Sequence, residues 1–191
     1  QELIKKLIQD RKESTNHHHC DGDSDDTPSM HFTDVVVVSP DAGGAERADS
    51  FRNDLNETDF FKNHVTMAVM NKKREEANKV ARMELVGDVE GRDCVIVDDM
   101  IDTAGTLVMC AQILKENGAK KIYACATHAL LNGPGVQRID DSVIDTVFVT
   151  DTIPMSAEKK RSKKLVQVSA NKLIAEAIRR VHNEESISIL F

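Results

Sequence analysis

Val35 to Val38 form an unbroken β-branched run that stops at Ser39-Pro40. A strand with one wet face alternates apolar and polar residues, so a run without alternation predicts a strand covered on both faces, as in a parallel sheet between helices. Cys94 to Val97 repeats the pattern, Ile122 to Thr127 and Thr146 to Val149 are further strands, and Val65, Met67 and Val69 alternate. Between them lie helical stretches, Ala45 to Leu55 and Leu107 to Asn117, the second followed by Gly118 at the C′ position, where a positive φ costs glycine nothing. Gly133-Pro134-Gly135 breaks the chain. Leu173, Ile174, Ala177, Ile178 and Val181 share one face of a last helix from about Ala170 to Val181. Strands alternating with helices predict an α/β three-layer sandwich around a mainly parallel sheet.

The chain before this domain differs in kind. Leu3, Ile4, Leu7 and Ile8 give residues 1–10 one apolar stripe at helical spacing, which needs a partner surface. Residues 11–32, RKESTNHHHCDGDSDDTPSMHF, are acid-rich with almost no apolar anchor, which predicts a disordered insertion, because too little surface is buried to offset chain entropy. The folded domain is then residues 33–191. A length of 191 residues fits one domain or one large half of a two-domain protein, and the opening Gln suggests a fragment of something longer. The net charge of −7 argues against a nucleic-acid surface, so any anion site must be local and made largely of backbone amides. No apolar run approaches the roughly 18 residues that span a bilayer, and the start lacks a secretory pattern, which predicts a cytoplasmic protein with no membrane partner. Cys94, Cys110 and Cys125 sit in apolar stretches and no CxxC spacing occurs, so reduced, buried thiols are expected. His17, His18, His19 and Cys20 stand at successive positions of the acidic segment, which presets no tetrahedral metal geometry and reads as a solvated loop.

In open α/β sheets ligands bind beyond the carboxyl ends of the strands. In Val95 to Thr106, VIVDDMIDTAGT, a buried strand delivers two adjacent carboxylates, Asp98 and Asp99, followed by Asp102, Thr103, Ala104, Gly105 and Thr106 at the start of a helix. Unpaired amides, the positive end of the helix dipole, two Thr hydroxyls and a Gly make a phosphate cradle. The adjacent carboxylates could accept hydrogen bonds from sugar hydroxyls or hold magnesium through water. Helix capping alone would explain one acid, not three with a glycine. A second loop, SPDAGGAER from Ser39 to Arg47, also joins a strand to a helix. There Gly43 and Gly44 let amides turn toward an anion, and Asp41 could ligate a metal bound to it, although an ordinary turn has the same composition. Between the loops Asn71 to Met83, NKKREEANKVARM, reads as a solvated helix or loop; alternatively Lys72 and Arg74 close over a diphosphoryl group.

The VDDMIDTAGT segment resembles the signature loop of type I phosphoribosyltransferase folds. SPDAGG, the KxRxxANxV pattern at Lys72 to Val80, LVGDV, THALLNGP, TDTIP and the ending AEAIRRVHNEESISILF together resemble the ribose-phosphate diphosphokinases, over nearly all of residues 33–191. That resemblance implies transfer of the diphosphoryl group of magnesium ATP to the anomeric hydroxyl of ribose 5-phosphate, giving phosphoribosyl pyrophosphate and AMP for nucleotide biosynthesis. It implies that Asp98 and Asp99 meet the ribose hydroxyls and that Asp102, Thr103, Ala104, Gly105 and Thr106 seat its phosphate. Asp41, Ala42, Gly43 and Gly44 would face the diphosphate with Mg2+ on Asp41, and Lys72 and Arg74 would be catalytic cations. Ser186, Ser188 and Phe191 would belong to an allosteric phosphate or ADP site at subunit contacts, or to an ordinary terminal strand. His128 and His182 would be structural. Family members are about twice this length, with a first domain that supplies most of the adenine pocket, and work as homo-oligomers. A non-catalytic regulatory subunit that keeps the fold, and a plain phosphoribosyltransferase, are the competing expectations. Intact loop cations and an intact ribose loop weigh against the first, and the KxRxxANxV loop weighs against the second.

Overall fold

A computed structural model describes residues 35–58, 61, 64–73 and 82–190. The stripe at residues 1–10, the acidic segment at 11–32, Arg74 and Phe191 lie outside the described residues. Seven strands form one sheet in the order β3-β2-β1-β4-β5-β6-β7. They are β1 (Val35–Ser39), β2 (Val65–Lys73), β3 (Arg82–Val86), β4 (Asp93–Ile101), β5 (Ile122–Ala129), β6 (Thr146–Thr150) and β7 (Leu165–Val168). All neighbours are parallel except β2 and β3, which pair antiparallel. The α/β sandwich with a mainly parallel sheet expected from the sequence is the architecture observed.

Helix α1 (Ala45–Asn56) crosses from β1 to β2, α2 (Gly105–Glu116) from β4 to β5, α3 (Gly135–Asp140) from β5 to β6, and α4 (Asn171–His182) comes after β7. Strand order reverses direction at β1, so right-handed crossovers put α1 on one face and α2 and α3 on the other. The valine run is unbroken because both faces are covered. Val35 and Val37 pack in a cluster with Ala48, Leu55 and Phe148, while Val36 and Val38 pack with Leu107, Cys110, Leu114 and Ile139. Cys94, Cys110 and Cys125 are free and buried, and burial pushes the thiols of Cys94 and Cys125 up to about 12, which removes thiolate chemistry near neutrality.

Gly118 ends α2 as expected, at φ 85. Its N–H donates to Lys115 C=O at 3.1 Å and that of Ala119 to Leu114 C=O at 3.0 Å, the paired bonds of a Schellman motif. Three sequence expectations are corrected. The charged stretch beginning at Asn71 is no separate helix or loop at its ends, because β2 continues through Lys73 and β3 opens at Arg82, with Lys72 opposite Met83. Asp98 and Asp99 do not come after the strand but lie within β4, which runs on to Ile101. The terminal serines are in no strand, since Ser188–Leu190 is a turn of 3-10 helix. The edge strands β3 and β7 and the short α3 carry no continuous apolar run, so periodicity does not reveal them. Among the described residues no helix is long and apolar enough to cross a membrane.

Candidate functional site

The sheet reverses between β1 and β4, and the carboxyl ends of the parallel strands there form the crevice in which doubly wound sheets bind ligands. Register decides what β4 exposes in it. Pairing with β1 ends at Val38 opposite Ile96, whereas pairing with β5 continues to Ile101 opposite Ala129. Beyond Ile96, one edge of β4 therefore lacks a strand partner among the described residues, and the two acids lie there. Asp98 Oδ1 accepts the Asp99 N–H at 2.9 Å, and Asp99 Oδ1 accepts the Met100 N–H at 2.8 Å.

Arg47, in the first turn of α1, spans both acids. Its Nη1 lies 3.4 Å from Asp98 Oδ1 and its Nη2 3.1 Å from Asp99 Oδ2. Burial pushes the Asp98 carboxyl up to about 6, against the Asp99 N–H and Arg47, which pull it down. For Asp99 slight burial works upward too, but its hydrogen bonding with Asp98 and the Arg47 guanidinium outweigh it and hold the carboxyl below its ordinary range. One acid of the pair is thus the weaker and the other the stronger.

The segment after β4 is held from behind. Ile101 C=O accepts the Leu131 N–H and Asp102 C=O the Asn132 N–H, each at 3.0 Å. Asp102 Oδ1 accepts Asn132 Nδ2 at 2.8 Å, and Thr103 C=O accepts Arg138 Nη1 at 2.9 Å. Every peptide among the described residues is trans, so a carbonyl fixed toward residues 131–138 sends the next N–H the opposite way, and the amides of Thr103 and Ala104 face outward. Ala104 adopts the left-handed conformation, φ 59, immediately before helical Gly105, an alternation of hand that curls successive amides around one point. The first main-chain bond of α2 runs from Val108 N–H to Ala104 C=O at 3.0 Å, which leaves the N–H groups of Gly105, Thr106 and Leu107 as the open first turn. Gly135 sits directly behind the loop, where a β-carbon would come within 3.0 Å of Asp102 C=O.

The β1 loop is arranged differently from expectation. Asp41 caps the 3-10 turn Ala42–Gly44, and its Oδ1 accepts the Gly44 N–H at 3.0 Å. That amide, expected to turn toward an anion, is engaged by the protein's own carboxylate. Lys72 comes from the end of β2, with Nζ 3.6 Å from Asp41 Oδ2. The crevice thus brings together Asp41, Lys72, Arg47, Asp98, Asp99 and the 102–107 cradle. Arg47, Asn132, Arg138 and Gly135 escaped the sequence reading as site residues. Arg47 carried one signal, a cation at a helix start, where the dipole disfavours it.

The phosphoribosyl synthetase-associated domain matches residues 58–191. The chain belongs to this family. It is 48% identical over 167 residues to a ribose-phosphate pyrophosphokinase of Vibrio cholerae, covering 87% of this chain and 51% of that protein. The corresponding protein of Shewanella oneidensis is 49% identical over 156 residues, covering 82% and 47%. The crystal structure of phosphoribosylpyrophosphate synthetase from Mycobacterium smegmatis superposes with a TM-score of 0.70 at 35% identity, covering 82% of this chain and 47% of that one. The chain spans about half the length of the curated relatives it matches. The family resemblance read from VDDMIDTAGT and its companion motifs is borne out.

Proposed function

We propose that this chain is the ribose-5-phosphate-binding part of a cytoplasmic ribose-phosphate pyrophosphokinase, which moves the diphosphoryl group of ATP to the anomeric hydroxyl of the sugar. The observation that carries this reading is the open first turn of α2, entered through left-handed Ala104, beside the Asp98–Asp99 pair. Amides and a helix N-terminus suit a phosphate, and carboxylates suit neutral hydroxyls, so the two ends of one sugar phosphate are distinguished chemically. The relatives named for this reaction support the choice over other sugar phosphates.

Phosphoryl transfer asks a protein mainly for alignment and charge neutralisation. Asp98 and Asp99 hold the ribose hydroxyls, and Thr103 to Thr106 hold the 5-phosphate. Lys72 projects from β2 beside the β1 loop, where its charge serves a diphosphoryl group, and Arg74 joins it in this proposal. Asp41 fits Mg2+ as one hard oxygen donor; among the described residues no three His, Cys, Asp or Glu gather to cage a metal. Magnesium commonly takes one or two carboxylates and completes its shell with phosphate oxygens and water. When bound, the ion would neutralise charge on the diphosphoryl group. Ser186, Ser188 and Phe191 remain the proposed regulatory contacts for phosphate or ADP, with the first two hydroxyls 3.0 Å apart.

Calorimetry with ribose 5-phosphate in magnesium buffer tests the reading. One sugar phosphate is expected to bind per chain, competed by inorganic phosphate. Absence of heat at millimolar ligand would overturn it.

A further inference from the structure

A phosphate cradle beside two carboxylates is electrostatically contradictory, because the acids repel the dianion that the cradle attracts. Arg47 is the side chain the structure gives to both acids, at 3.4 Å from Asp98 and 3.1 Å from Asp99. Two features indicate that its place is built rather than incidental. It occupies the first turn of α1, the end of a helix where a cation is disfavoured, so local helix energetics do not account for it. Gly44 also makes room for it: a β-carbon there would lie 3.3 Å from Arg47 Nη1 and 2.9 Å from Ser39 Oγ. Arg47 moreover starts from α1 and reaches the acids of β4, so it ties the two sides of the crevice together.

We infer that Arg47 is a positioning residue that offsets the charge of the Asp98–Asp99 pair and thereby lets a sugar-hydroxyl clamp and a phosphate cradle operate on one ligand. This role rests on the sugar-phosphate reading of the site. Each carboxylate keeps capacity for a hydroxyl while Arg47 is in place, because Asp98 Oδ2 accepts no hydrogen bond among the described residues and a carboxylate oxygen accepts two. Arg47 therefore need not leave when the sugar arrives.

The test is calorimetric binding of ribose 5-phosphate to the parent chain, Arg47→Ala and Arg47→Lys, at low and high salt. Arg47→Ala is expected to lose about tenfold or more in affinity at low salt, the scale of one lost ion interaction near a surface, and less at about 0.5 M salt, where screening is stronger. Arg47→Lys should recover most of the loss, which a merely structural role would not produce. Unchanged affinity in Arg47→Ala, or a lysine variant as weak as the alanine one, overturns the inference while the sugar-phosphate reading stands. A parent chain that binds no ribose 5-phosphate overturns that reading and this inference with it.

Discussion

Asp98 shows how one residue's position sets its chemistry. Lying within β4 just past its buried half, its side chain is 29% exposed against 49% for Asp99, and burial raises the first while hydrogen bonds and Arg47 lower the second. Raising a carboxyl from 3.8 to about 6 on folding means that the folded state binds the proton more tightly than the unfolded one. Its contribution to stability is therefore fully present below the unfolded value and lost as pH rises through about 6. Asp98→Asn should accordingly gain stability relative to the parent chain across that window. Denaturant midpoints of the two chains at a series of pH values would measure the gap, and a gap that does not widen between about pH 4 and pH 7 would contradict the raised carboxyl. The acids themselves were legible in the sequence as an adjacent pair after an apolar run. Their counter-ion was not, because Arg47 is 51 residues from Asp98 and nothing local links them.

At the scale of elements, two glycines hold the site's frame. Gly87, at φ 128, sits just past the end of β3, and a β-carbon there would lie 2.7 Å from the Ala68 methyl on β2. Gly87→Ala combines a forbidden backbone region with a clash and should cost about 2 to 4 kcal/mol, read as a lower denaturation midpoint at unchanged slope. A midpoint within error of the parent's would show that the turn can shift freely. Gly135, at the start of α3, supports the cradle instead. Gly135→Ala must push on Asp102 C=O, so the amide curl opens and sugar-phosphate affinity should fall roughly tenfold, because small misplacements of binding groups are costly. Equal affinity in that variant would mean that the loop does not depend on α3 for its shape. Periodicity located the five strands β1, β2, β4, β5 and β6 and three of the helices. It missed β3, β7 and α3, whose residues are half-covered and short, so that pairing and packing across the sheet decide their conformation.

For the molecule as a whole, α4 is the exception to a well-covered architecture. It has no buried residue, and Leu173, Ile174, Ile178 and Val181 are 48% to 66% exposed along one face. The chain after it is fastened back by ion pairs, with Arg179 2.8 Å from both Glu176 and Glu185 and Arg180 2.8 Å from Glu176. A contiguous apolar stripe of this kind is the mark of an association surface. If the homo-oligomer that the family resemblance implies forms through α4, a second copy would cover this stripe. Ile178→Glu should then lower the sedimentation-average mass while leaving the circular dichroism spectrum intact. Sedimentation of the parent chain as a monomer at all concentrations would remove α4 as a self-association surface of this chain.

The sequence alone determined the sheet's central strands, the termination of α2 and the identity of the acid and cradle residues, because these depend on apolar runs, glycine conformation and helix ends, all short-range properties. Tertiary structure decided which of those residues share a crevice. Strand order brings β1, β2 and β4 side by side, strand register leaves one edge of β4 to its carboxylates, and residues 131–138 turn the cradle amides outward. Each of these is a contact between segments distant in the chain, and no local pattern encodes the distance at which distant segments meet.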